Sequence, residues 1–384
     1  MAVSGTGSMG VTKITLFAVC AVIVLSTLTA SASLGPSGYV LWLVAVIFFV
    51  LPNMMITSEL GTTYPAEGGI YNWIDKAFGR RMSARAIILY WLSNGIWMGA
   101  NFILLVGMFA TTFMPGMSLF TKLAIVIVLI WLTVAFVSYK ANVGIWVTIT
   151  GAIIKVIVVL SLGIGGFIYV LHHPIANEFN LHTMTPSASS GIHFFSAIIY
   201  NLTGFELVAC MGSNLRNPKK DMPKSIFAAS MIVVALYVIG SLGILFAIPL
   251  AHLNLVSGVN DAATVIFSNY YIVAAIVVLF LATIITDQMT WTMAPSRAAA
   301  EAALAGDLPK FIGKKHPKYG TPYGAAIVLG VTGTIVTLVY SYFAAGDSTK
   351  TFWSIFSFSS VCIIFSYLMY YPSFIKLRLI DKKN

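Results

Sequence analysis

One lysine stands where a membrane would least tolerate it. Lys155 interrupts the apolar run TGAIIKVIVVLSLGIGG. Counted at 1.5 Å per residue from about residue 144, where the whole apolar stretch begins, it lies about 16 Å deep, near a bilayer midplane. A charged lysine there costs at least ~2.5–3.5 kcal/mol, so it needs a counter-charge or a water-filled cavity. Asp287 is the candidate partner, because no other basic residue lies clearly within an apolar run; hydration from an inner vestibule is the alternative. Asp287 precedes Trp291 by four residues, which places both on one helix face. Glu206, expected nearer the inner end of its own run, either takes up and releases a proton or serves as a local hydrogen-bond acceptor.

Two further segments carry polar groups into apolar surroundings. The first apolar run ends in Ser26-Thr27-Leu28-Thr29-Ala30-Ser31-Ala32-Ser33, and the sixth contains Tyr200-Asn201-Leu202-Thr203-Gly204-Phe205-Glu206. A broken membrane helix exposes backbone groups that line a cavity, and such segments suit a break. Ordinary close packing through small residues is the bland reading of both. Of the aromatics, Tyr200, Trp291 and Trp97 stand out, since each lies beside polar or interrupted helix.

These residues must be positioned by membrane-spanning helices. Only 9% of the 384 residues are charged and 59% are hydrophobic, far from the balance of a soluble domain. Apolar runs fall at about 14–33, 40–60, 84–114, 119–138, 144–171, 190–212, 225–249, 265–293, 323–343 and 351–374. Ten helical spans follow, because lipid leaves no other way to satisfy the backbone and a barrel's alternation is absent. Cys20, Cys210 and Cys362 all lie in apolar stretches and read as small buried hydrophobes.

All but three of the 22 basic residues fall in alternate loops, the exceptions being Lys122, Lys350 and Lys155. This places both termini in the cytoplasm of a multi-pass protein of the inner or plasma membrane. It also explains the net charge of +10 through lipid headgroups, with no nucleic-acid partner. His172, His173 and His182 lie on the longest outer segment and read as solvated. GTGSMG at 5–10 has the letters of a dinucleotide fingerprint but no preceding strand. No cofactor or metal is expected.

Three spaced motifs resemble one family. Glu59-Leu60-Gly61, Pro65, Glu67-Gly68-Gly69-Ile70-Tyr71 and Ala77-Phe78-Gly79 resemble the second helix and first cytoplasmic loop of the amino acid–polyamine–organocation permeases. Gly204-Phe205-Glu206 followed by Arg216-Asn217-Pro218-Lys219-Lys220 and Pro223 resembles their sixth helix and next loop. Ser296-Arg297, Gly306-Asp307-Leu308-Pro309 and Gly320-Thr321-Pro322 resemble the segment after the eighth. The resemblance implies an all-α, LeuT-like bundle of two inverted five-helix repeats, with helices 1 and 6 discontinuous. The parts would be a tail at 1–13, repeats at 14–171 and 190–374, an outer loop at 172–189 and a basic tail at 375–384. It implies substrate contacts at Thr29, Ala30, Ser31, Asn94, Tyr200, Asn201, Thr203, Gly204 and Trp291. Lys155 matches a lysine that in some members occupies the sodium position of sodium-coupled relatives, and Asp287 and Glu206 join it as candidate coupling groups. Two departures are visible. The usual Gly-x-Gly of the first helix is missing, with Thr29-Ala30-Ser31 expected in its place, and ten spans are present where most members have twelve.

The expectation is a secondary transporter of amino acids or related amines, proton-coupled or exchanging, with a polyamine antiporter as the alternative. An integral-membrane enzyme would show clustered His, Asp and Glu at one interface, and a channel a polar pore stripe; neither is apparent.

Overall fold

The computed structural model describes residues 7, 9–139, 141–186, 195–254, 257–343 and 347–380. Lys140, Lys382, Lys383, residues 5, 6 and 8 of the 5–10 motif and residues 187–189 of the 172–189 loop lie outside them. Among the described residues eight helices are each long and apolar enough to cross a membrane, and a bent pair makes a ninth. That pair is α1 (Val11–Val22) with α2 (Leu28–Ala32), joined by a short 3-10 turn and bent by 40°.

The second span comprises α3 (Gly38–Ala45), a π-helical turn and α4 (Leu51–Thr63). A short helix, α5 (Ile70–Phe78), leads to the long spans α6 (Arg80–Phe113), α7 (Leu119–Tyr139) and α8 (Ala141–Tyr169). The one-turn helix α9 (Leu181–Met184) lies in the following loop. The sixth span is again in two pieces, α10 (Phe195–Asn201) and a 3-10 segment at Phe205–Asn214. Then come α11 (Pro218–Ala247), the connecting helix α12 (Gly258–Phe267), α13 (Tyr270–Leu304), α14 (Tyr323–Phe343) and α15 (Ser348–Ile375). Nine of the ten expected spans therefore have helices, or a bent helix pair, long and apolar enough to cross; the sixth is represented among the described residues only by these two short pieces, and the eighth begins at Tyr270 and runs on to Leu304.

Packing follows the membrane rule. Large apolar side chains such as Phe48, Trp131, Phe136, Trp146 and Phe365 stand exposed on outer faces, where only lipid tolerates them. Polar residues turn inward. Helix α8 meets α11 at Gly166 and Gly243, so closely that a Cβ on Gly166 would stand 2.5 Å from the Gly243 Cα. Small residues at such crossings let backbones approach without a side chain between them. This crossing packs α8 closely against α11.

The described residues nearest each chain end lie on one face. Met9 pairs with the end of the sixth span, its N–H donating to Asn214 O at 3.0 Å, and Arg378 ion-pairs with Glu59 at the end of α4. The connections on this face are clasped by Asp307, just beyond α13. Its carboxylate accepts from the Tyr71 hydroxyl at 2.6 Å and from Arg80 Nε at 2.8 Å, and Arg80 also donates to Ala305 O at 2.6 Å. Burial alone would raise the Asp307 carboxyl, but the phenol and the guanidinium outweigh it and hold it below its ordinary value.

A carboxyl with a depressed folded-state pKa stabilises the fold above its unfolded value, near 4, and that contribution is lost as pH falls through the folded value. Asp307→Asn is expected to melt below wild type at pH 7 in detergent, with the two melting curves converging as pH approaches about 3. A gap that stays constant with pH would mean that the carboxylate charge contributes nothing to the clasp.

Candidate functional site

The first span breaks at Ile23 and Val24, both in extended conformation (φ/ψ −77/106 and −103/94). This corrects the sequence reading, which placed the interruption at Thr29-Ala30-Ser31. Those three residues lie in α2, beyond the break and fully buried. No glycine is present, because extended backbone is open to β-branched residues; what the break needs is partners for its released carbonyls.

Those partners come from three other helices. Lys155, at the midpoint of α8, donates to Cys20 O at 2.5 Å, to Ile23 O, and to Asp287 Oδ1 at 2.8 Å. Its three N–H groups thus have three acceptors, and a cation sits at the negative end of the α1 dipole. Trp291 Nε1 donates to Ala21 O at 2.8 Å. Tyr237 accepts from the Val24 N–H at 2.8 Å, with its hydroxyl 3.3 Å from Val24 O. Both Lys155 and Asp287 are buried, and neither faces lipid. The expected ion pair is therefore present at mid-depth.

The sixth span breaks where expected. Gly204 has φ +110°, a conformation that L side chains rarely adopt, and an added Cβ would stand 3.0 Å from the Trp291 ring. Glu206 is fully buried directly after this break, which corrects its expected place near the inner end of the span. Its carboxylate accepts from Tyr90 of α6 at 2.8 Å, from Tyr367 of α15 at 2.6 Å, and from the Gly204 N–H at 3.1 Å. Tyr367 also lies 3.1 Å from the Gly204 nitrogen. One carboxylate thereby ties three spans together at the start of a half-helix.

The two breaks touch. The Thr27 hydroxyl lies 2.6 Å from Asn201 Oδ1 and 2.8 Å from Val24 O, and Asn201 Nδ2 lies 3.4 Å from Ser31 Oγ. Beside Asn201, Tyr200 packs against Phe356 and Trp97, with ring centroids 5.0 and 6.1 Å away. Thr203 turns its hydroxyl back onto Tyr200 O at 2.7 Å, and Asn94 donates to Tyr90 O of its own helix at 2.7 Å. Thr29 lies against Gly258 of α12, and Ala30 is buried in the same short helix. On the termini face, Arg297 Nη1 donates to Asn214 at 2.7 Å and pairs with Glu67 at 3.4 Å, closing this end of the bundle.

Sequence reasoning passed over Tyr90, Tyr237 and Tyr367, and noted Thr27 only as part of the polar stretch at 26–33. The phenols were indistinguishable from interfacial aromatics, since their partners are backbone groups and a carboxylate more than a hundred residues away. The only available signal was a tyrosine deep in each of three long spans.

The amino acid permease family model matches residues 9–381. The chain belongs to the amino acid permease family. It is 34% identical over 372 residues to a "Probable agmatine/putrescine antiporter" of Lactococcus lactis, covering 96% of this chain and 79% of that protein. An uncharacterised transporter of Legionella pneumophila is 27% identical, covering 96% and 81%. A glutamate/gamma-aminobutyrate antiporter of L. lactis is 23% identical, covering 86% and 68%. Among solved structures, a sodium-coupled sialic acid symporter in a substrate-bound outward-open state superimposes with TM-score 0.57 at 13% identity, over 98% of this chain and 79% of that one. MhsT in complex with L-phenylalanine gives TM-score 0.57 at 12% identity, over 93% and 98%. The fold is thus that of LeuT-like transporters, and this family member is a multi-pass secondary transporter of amino acids or amines, not an enzyme.

Removing one member of a buried ion pair leaves an uncompensated charge, worth about 3–5 kcal/mol. Lys155→Met should lower thermal stability in detergent by roughly that amount, and Lys155→Met with Asp287→Leu should recover part of it. A double variant no better than the single one would show that the Cys20 and Ile23 carbonyls, and not the pair, set the cost.

Proposed function

We propose that this permease carries small organic amines in preference to α-amino acids, by alternating access around the two breaks. One observation supports the preference. One backbone N–H at the head of each half-helix is already taken, that of Val24 by the Tyr237 hydroxyl and that of Gly204 by Glu206. Half-helix N-termini are where such folds hold a substrate carboxylate. Here that carboxylate would meet a fixed Glu206 and would have to displace a phenol.

A cation fits the same surroundings better. Tyr200, Trp97 and Phe356 offer ring faces and edges beside Asn201, and aromatic faces attract ammonium and guanidinium groups. Glu206 supplies negative charge once its phenol donors are exchanged for a substrate donor. The relative named as an agmatine/putrescine antiporter agrees with this direction. Asn201, Thr27 and Ser31 link helix 1 to helix 6 and would sense occupancy, while Thr29, Ala30, Asn94, Thr203 and Trp291 frame the space.

The remaining assignments form part of the same proposal. The termini face is cytoplasmic, the repeats span 14–171 and 190–374, and the basic loops bind anionic headgroups. Lys155 acts as an internal cation in place of a coupling sodium ion, so transport is driven by exchange or by protons.

The test is competition against labelled putrescine uptake into liposomes. Agmatine should compete at least roughly tenfold more strongly than arginine, which has the same side chain plus a carboxylate, a gap equal to one unfavourable charge contact. Glu206→Gln should shrink that gap while lowering amine affinity. Equal competition by arginine and agmatine in wild type would contradict the preference for amines.

A further inference from the structure

Away from the central site and from the termini lies a separate cleft. It has a volume of about 590 Å³ and is bounded by the outer ends of α6 and α13, the first turn of α7 and the connecting helix α12. Thr111 and Thr112 enter from the end of α6, Lys122 from α7, and Ser257, Asn260 and Asp261 from α12 and its first turn. The flanking walls are apolar, through Leu104, Met108 and Val273.

The charges in this cleft are unusual. Lys122 and Asp261 face the same space, yet they do not form an ion pair with each other, and among the described residues neither has any ion-pair partner within 4.0 Å. The Asp261 carboxylate accepts from the Ser257 hydroxyl at 2.6 Å, a neutral contact that leaves its charge unbalanced. Burial raises the Asp261 carboxyl above its ordinary range, as follows for an acid half withdrawn from water with no cation beside it. A cation and an anion that line one cleft without pairing with each other suit a ligand with the reverse arrangement.

We infer that this cleft binds a small zwitterion, its carboxylate at Lys122 and its ammonium at Asp261, with the Thr111 and Thr112 side chains beside its polar remainder. The site is separate from the centre between helices 1 and 6 and does not depend on what that centre carries. Because Gly258 at the start of α12 lies against Thr29 of α2, an occupant would also hold the connecting helix that covers the first span.

The experiment is equilibrium binding to the full chain in lipid nanodiscs, with three probes of equal length: γ-aminobutyrate, butyrate and n-butylamine. The zwitterion is expected to bind at least roughly tenfold more tightly than either singly charged probe, which forms only one of the two charge-assisted contacts. Lys122→Gln and Asp261→Asn should each weaken γ-aminobutyrate binding by a similar factor with melting temperatures unchanged. The reciprocal exchange Lys122→Asp with Asp261→Lys should restore it. Binding of γ-aminobutyrate that survives both single variants would place the ligand at the centre of the bundle and overturn the inference. Equal affinity for all three probes would overturn it as well.

Discussion

An ammonium at mid-membrane has to find acceptors for all three of its protons, and the architecture is arranged around that demand. Lys155 finds one acceptor in Asp287 and two in the carbonyls that α1 releases where it stops. Each party solves the other's problem. The break in the first span would leave buried carbonyls unpaired, at a cost comparable to a lost hydrogen bond for each. The lysine alone would be expelled by the surrounding lipid and protein. Trp291 and Tyr237 complete the set from α13 and α11, so an irregular stretch with no glycine is held in place by side chains from three neighbouring helices.

The second break is stabilised differently. Gly204 provides the positive φ, and Glu206 reaches back to the freed N–H while collecting phenols from α6 and α15. One interruption is therefore fixed by a cation on carbonyls, the other by an anion on an amide. Any motion that opens the centre to one side must exchange these contacts, since packed interiors move between discrete arrangements. The ion pair and the phenol clamp are the places where such exchange has the largest energetic consequence.

Much of this was legible in the sequence because lipid makes the rules severe. Ten spans, their inward polar faces and the Lys155–Asp287 pair follow from the scarcity of charge in apolar runs. The sixth break was marked by Gly204 beside Asn201 and Thr203. The first was not, because Ile23 and Val24 adopt extended backbone without any compositional signal, and the hydroxyl-rich stretch at Thr29-Ala30-Ser31 was the more conspicuous segment. Glu206 was read by its distance along the chain, whereas its place is set by Tyr90 and Tyr367, which come from spans remote in sequence. Long-range side-chain-to-backbone contacts of this kind leave no periodic trace, so the partners of a break are harder to read than the break itself.

The role of Lys155 is the central claim, and gradient-driven uptake tests it most directly. Purified wild type and Lys155→Ala are reconstituted into liposomes, and labelled substrate uptake is followed with and without a pH gradient, and with and without unlabelled substrate inside. Wild type should accumulate substrate in response to at least one of these driving forces. The variant should still bind substrate but should lose that response, because the released carbonyls and Asp287 no longer share a cationic partner. A Lys155→Ala protein with the same gradient dependence as wild type would contradict the assignment.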